Sequence, residues 1–142
     1  MKVSPPRRVI GVDPGRTKCG IAVVFEDGKR VTLEVVPTDA IAGRLRASID
    51  EGDVAAICVG HATTSDAVVA LCRSSWPDIP VEVVDESNTT LQARQRYYRD
   101  HPPKGLLRLV PRGLLVPKEP LDGYAALLIV ERYLHRTEKT KP

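Results

Sequence analysis

The sequence predicts a mixed α/β domain: a five-stranded sheet, three strands antiparallel and then two parallel, with helices on both faces. Three observations predict it. The opening quarter reads as three short apolar segments joined by turn signals, with no helical period. The remainder alternates helical and strand patterns, the arrangement that adds parallel strands to a sheet. The 142 residues are 42% hydrophobic and 27% charged, the size and balance of one globular core.

Each element has its own signal. Val9–Asp13 is a short apolar run ended by Pro14-Gly15, a strand followed by a turn. Ile21–Phe25 and Val31–Val36 flank Glu26-Asp27-Gly28-Lys29-Arg30, which reads as a β-hairpin. Ile41, Leu45 and Ile49 then recur every four residues, a helical spacing. Thr38 or Asp39 can cap that helix and Gly52 can stop it. Val54–Gly60 is an apolar strand. Ser65–Ser74 is predicted helical, capped by Thr64 or Ser65, and Pro77 and Pro80 separate it from the strand Val81–Val84. Thr89 or Thr90 can cap a helix reaching Arg99. Residues 100–120 hold five prolines and two glycines and are expected to form an irregular basic arm. Leu121–His135 is a strongly apolar helix, and residues 136–142 are expected to be a frayed polar tail.

Charge is unevenly spread. The net charge is +3, but the stretch from Ser87 to Lys118 carries seven Lys/Arg and one Asp, so +6 sits there and −3 on the rest. A basic segment on a slightly acidic body suits a phosphate-rich partner. Arg94, Arg96, Arg99, Arg108, Arg112 and Lys118 are its candidate nucleic-acid contacts, with Lys18 reaching a phosphate from the first turn. A solvated helix face explains the same charges equally well.

The remaining composition excludes other classes. No apolar run is long enough to span a bilayer, and the polar, proline-broken start, Met1 to Arg8, is unlike a secretory signal. Cys19, Cys58 and Cys72 are odd in number and widely spaced. They are expected to be reduced, buried thiols of a cytoplasmic protein, neither a zinc site nor a disulfide framework.

Three carboxylates stand where chemistry is expected. Asp13 ends the first strand and opens a glycine-punctuated turn, Asp13-Pro14-Gly15-Arg16-Thr17-Lys18-Cys19-Gly20. Gly15 and Gly20 permit tight geometry and close approach of a ligand. Glu86 follows the fifth strand. Asp122 heads an apolar helix whose stripe continues through Ala126 and Ile129, so it points toward the interior. Each has a plainer reading. Asp13 can serve a turn, Asp85 and Glu86 can favour a helix N-terminus, and Asp122 can be an N-cap with Leu121 outside the helix. Taken together they come from two strand ends and one helix start, where mixed sheets place their sites. Two carboxylates about 4 Å apart repel by roughly 4 kcal/mol at an effective dielectric near 20, so a cluster of them needs cations. All-oxygen ligands favour Mg²⁺ or Mn²⁺ over zinc, and one or two such ions suit phosphodiester cleavage. Glu119 could join the same face as Asp122.

At these residues the chain resembles the YqgF/RuvX family, Holliday-junction resolvase-like proteins also assigned to maturation of precursor small-subunit ribosomal RNA. Ile10-Gly11-Val12-Asp13-Pro14-Gly15 through Gly20-Ile21-Ala22 carries the first motif. Val84-Asp85-Glu86-Ser87-Asn88-Thr89-Thr90 and the following Leu91-Gln92-Ala93-Arg94 are similar to the family's Asp-Glu-Arg-x-Thr-Thr stretch. Leu121-Asp122-Gly123-Tyr124-Ala125-Ala126-Leu127-Leu128-Ile129 is similar to its last helix. The strand Ile57-Cys58-Val59-Gly60 also fits. The resemblance spans roughly residues 8–135 and implies one ribonuclease-H-like domain over 1–142. It further implies that Asp13, Glu86 and Asp122 are catalytic, metal-binding carboxylates. The implied activity is a metal-dependent nuclease acting on structured nucleic acid, chiefly at the 5′ end of precursor small-subunit ribosomal RNA.

The chain departs from the family at Ser87, where an Arg is usual, and in the loop His61-Ala62-Thr63-Thr64. Asp13-Pro14-Gly15 is more like RuvC resolvases. In RuvC a catalytic Glu lies on the fourth strand, which here has no acid, so Glu86 favours YqgF/RuvX. Glu119, by its spacing from Asp122, could imitate RuvC's additional acid as a fourth ligand. His61 could assist proton transfer, although a loop histidine is more often merely exposed. The alternatives are a Holliday-junction resolvase acting on branched DNA and a non-catalytic nucleic-acid-binding module of the same fold. A kinase-type nucleotide lobe needs two such lobes, more than this length holds. Trp76, Tyr97 and Tyr98 are expected to pack rather than to stack on bases. A monomer or a homodimer fits these features, and a membrane partner does not.

Overall fold

The computed structural model describes residues 6–85, 89–110 and 121–140. Glu86, Arg112, Lys118 and Glu119 lie outside them. Strands β1 (Arg8–Asp13), β2 (Lys18–Phe25) and β3 (Arg30–Pro37) are followed by helix α1 (Ile41–Asp50) and strand β4 (Val54–Gly60). Then come α2 (Ser65–Ser75), β5 (Val81–Val84), α3 (Thr89–Asp100) and α4 (Asp122–Thr140). The sheet order is β3-β2-β1-β4-β5. β1 pairs antiparallel with β2, β2 antiparallel with β3, and β4 runs parallel to both β1 and β5.

Both faces of the central strands are covered, which is why β1 reads as an unbroken apolar run rather than an alternating one. Ile10 and Val12 face α1 and α2, packed with Ile21, Leu45, Ile57 and Val68. Val9 faces the other way, into a cluster with Ala22, Val24, Cys58 and the inner sides of α3 and α4. Fully buried Ala126, Ile129 and Val130 fix the face that α4 lays on the sheet. Tyr97 and Tyr98 are each only 6% exposed and fill the gap between α3 and α4. They are packing residues, and Trp76 likewise packs beneath α2, with Arg46 over its ring. Cys19, Cys58 and Cys72 are buried and unpaired. Burial pushes the Cys58 thiol far up, and that of Cys72 to about 11, so these thiols are inert.

Several local expectations change. β2 begins at Lys18 rather than Ile21, because Asp13↔Gly20 and Cys19↔Val36 continue the ladders almost to the turn. Thr38 does not cap α1. Its hydroxyl donates to the Gly15 carbonyl (2.8 Å) and its amide to that of Thr17 (2.9 Å), so it ties down the β1–β2 turn. A 3₁₀ turn at Thr38–Ala40 leads into α1 without a side-chain cap. Ser65 is the first residue of α2 and its hydroxyl turns back to the Ala62 carbonyl (2.7 Å). Thr89 and Thr90 are inside α3, and whatever precedes them lies outside the described residues. In the arm, Gly105–Leu109 forms a 3₁₀ helix. α4 continues to Thr140, so residues 136–140 are helical rather than a tail.

Candidate metal centre and nucleic-acid interface

The site begins with strand geometry. Val9, Gly11 and Asp13 alternate onto the α4 face of β1, since side chains two apart share a face. Asp13 is half-buried at the strand's end and directly opposite Gly20 of β2. Residues directly opposite in an antiparallel pair lie on one face, so Asp13 and Gly20 look toward α4 together. A Cβ on Gly20 would stand 1.8 Å from the carbonyl oxygen of Asp122, and one on Gly11 would stand 2.6 Å from that of Ala126. The two glycines let the helix backbone rest directly on the sheet. Gly20 thus brings the first residue of α4 to the end of β1, and the backbones of Asp13 and Asp122 come to one corner. The turn sequence suggests that Gly15 and Gly20 admit a ligand. Instead, Gly15 packs on the Lys18 carbonyl and Gly20 on helix α4.

Asp122 is not an N-cap. The amide of Ala125 donates to the Leu121 carbonyl (2.9 Å), so the cap position is Leu121 and Asp122 is the first helical residue. Its carboxylate is therefore projected from the first turn, where the helix dipole favours negative charge. Its Oδ2 atom is out of solvent's reach and accepts no hydrogen bond among the described residues. The Lys18 ammonium stands 3.5 Å from it. A buried carboxylate oxygen without a donor is costly, and a cation relieves that cost. With Asp13 beside it, the oxygen-only donor set fits Mg²⁺ or Mn²⁺. Among the described residues no group of three His, Cys, Asp or Glu side chains converges, and Glu86 and Glu119 are not among those residues.

β5 finishes at the same end of the sheet as β1, Val84 pairing with Gly60. Arg132 of α4 donates to the Asp85 carbonyl (2.6 Å) and to Gln92 Oε1 of α3 (3.3 Å), holding the exit of β5 and the start of α3 together. No sequence signal marked Arg132. His61 is exposed, its amide donating to the Val84 carbonyl (3.0 Å).

The basic segment divides once its partners are seen. Arg96 is half-buried and paired with Glu131 of α4, so its charge is largely neutralised within the fold. Arg94 is half-buried, with its Nε out of solvent's reach. Arg99, Lys104 and Arg108 are exposed, and Arg108 also donates to the Gly105 carbonyl (3.3 Å). Asp100, the one acid of the basic stretch, is structural. Its Oδ2 accepts from Arg30 of β3 (2.6 Å) and from the Tyr124 hydroxyl (2.9 Å). The Arg30 hydrogen bond holds the Asp100 carboxyl below its usual range, while burial and the bond to Asp100 push Tyr124 up to about 12.

That arrangement makes a pH prediction. A depressed carboxylate stabilises the fold above its unfolded-state pKa, about 4, and loses that contribution as pH falls through its folded value. Asp100→Asn is expected to have a lower Tm than the native chain at pH 7, with the gap closing as the pH is taken well below 4. A gap that persists in acid would assign the effect to the hydrogen bonds rather than to the charge.

No protein-family model matches the chain. Its sequence is 25% identical to a protein of Chlorobium phaeobacteroides (strain BS1) described as "Putative pre-16S rRNA nuclease", over 94% of this chain and 95% of that one. Thermus thermophilus RuvC, in complex with Holliday junction substrate, matches the structure with a TM-score of 0.57. A second structure of the same RuvC gives 0.55. Both are 19% identical and cover 94% of this chain and 97% of the other. Among the described residues no helix is long and apolar enough to cross a membrane. The chain thus has the ribonuclease-H-like fold of RuvC and is related along nearly its whole length to the Chlorobium protein, as its resemblance to the YqgF/RuvX family implies.

Proposed function

We propose that this protein is a divalent-metal-dependent nuclease that hydrolyses phosphodiester bonds in structured nucleic acid, its substrate being precursor small-subunit ribosomal RNA, processed at the 5′ end. One observation carries the reading. Gly20 seats Asp122 beside Asp13, and the buried Asp122 Oδ2 accepts no hydrogen bond among the described residues. The relative's description as a pre-16S rRNA nuclease supports the choice of RNA.

Asp13 and Asp122 would hold the metal, with Glu86 completing the set and Glu119 as a further candidate. When bound, one or two Mg²⁺ or Mn²⁺ ions supply an activated water and charge stabilisation at the leaving oxygen. Exposed Arg99 and Arg108 steer the polyanion, joined by Arg112 and Lys118. Arg94 and Arg96 serve this less directly, Arg96 through its hold on α4. The three unpaired thiols support action in the cytoplasm.

End-labelled RNA hairpins, RNA duplexes and four-way DNA junctions incubated with Mn²⁺ test the reading. Cleavage of structured RNA is expected, lost on chelation and steeply weakened by salt. Preferential cutting of the junction would favour the resolvase reading, for which the RuvC–junction complex is the supporting observation. Salt-sensitive binding with no metal-dependent cut in any substrate would leave a non-catalytic binding module and end the nuclease proposal.

A further inference from the structure

We propose that Lys18 is the resident counter-cation of Asp122, displaced from it by the incoming divalent ion and thereby released toward the substrate phosphate. The inference rests on the metal-nuclease reading and adds to it a residue that couples metal loading to substrate binding.

Lys18 is the first residue of β2, two positions before Gly20 and on the same face of the strand. Its ammonium is 3.5 Å from Asp122 Oδ2, the oxygen that accepts no hydrogen bond among the described residues. Arg30, Arg44 and Arg96 are paired instead with Asp100, Glu34 and Glu131, carboxylates outside the candidate ligand set. The Lys18 side chain is 53% exposed, so its head can leave Asp122 for water or a phosphate with little desolvation cost. A lysine suits such a post. Its ammonium is a compact point charge on a flexible stem, whereas an arginine fork would grip the carboxylate at two points and resist displacement. A divalent ion and an ammonium cannot both neutralise one carboxylate oxygen without repelling each other. The lysine therefore weakens metal binding, and once displaced it adds a positive charge at the site's mouth.

Calorimetric titration of the full chain with Mn²⁺ alone, without substrate, tests this. Lys18→Met is expected to bind Mn²⁺ about three- to tenfold more tightly than the native protein, a gap that narrows in high salt. Lys18→Arg, which keeps the charge, is expected to bind no more tightly than the native protein. Equal or weaker binding by Lys18→Met would overturn the proposal. Asp122→Asn separates this failure from failure of the underlying reading. If Asp122→Asn loses Mn²⁺ while Lys18→Met is unchanged, only the role of Lys18 falls. If the native chain and Asp122→Asn bind alike, the metal centre itself is refuted and the Lys18 proposal goes with it.

Discussion

Asp13→Asn is expected to reduce Mn²⁺-dependent cleavage by about a thousandfold or more while the chain still folds. Asparagine keeps the shape of the side chain at the end of β1 and removes its charge. A metal ligand contributes several kcal/mol to stabilisation of the charged transition state, and each 1.36 kcal/mol is a factor of ten in rate. Parallel measurement of single-turnover cleavage and thermal unfolding checks both halves. A variant that cuts as fast as the native chain would sink the mechanism. A variant that loses activity together with its fold would show a structural role for Asp13 instead.

The second large effect concerns a residue with no side chain. Gly20→Ala is expected to destabilise the protein by about 3 kcal/mol or more and to lower Tm by roughly 10 °C. The added Cβ would lie 1.8 Å from the Asp122 carbonyl oxygen and 2.2 Å from its carbon. Both are backbone atoms of α4, so no rotamer change relieves the clash and the helix itself must lift. Any lift also moves Asp122 away from Asp13. Displacement of about 1 Å at a catalytic group can cost a hundredfold, so activity at a temperature where the variant is folded is expected to fall as well. Gly43→Ala is the control. That glycine lies in α1 with nothing within 4 Å of the place a methyl group would take, and alanine there is expected to stabilise by about 0.5–1 kcal/mol. Similar unfolding curves for the two variants would refute the close-packing account of the corner.

Much of the fold was legible because its signals are local. The Glu26–Arg30 turn is a hairpin because Gly28 can adopt φ +96° and the Phe25 amide reaches the Lys29 carbonyl (2.8 Å). The strands β4 and β5 have the bounds their apolar runs predicted. The errors fall where a distant partner competes. Thr38 has the chemistry of a helix cap, yet its hydroxyl meets Gly15, 23 residues away, and holds the β1–β2 turn. α4 extends past its apolar stripe to Thr140, since Arg, Glu, Lys and Leu are good helix formers and no Gly or Pro interrupts 124–140. Of the three candidate catalytic carboxylates, the structure brings Asp13 and Asp122 to one corner, and Glu86 falls outside the described residues.

By itself the sequence determined the succession of strands and helices and the position of Asp13 at a strand end. Periodicity, turn residues and side-chain type are properties of neighbours in the chain. Only the tertiary structure decided which charges face solvent and which are spent inside the fold. Arg30 and Asp100 are 70 residues apart and Arg96 and Glu131 are 35 apart, separations no local pattern encodes. It also decided that Gly20 serves the docking of α4 rather than a ligand, because the space a missing Cβ leaves is given meaning only by what packs into it.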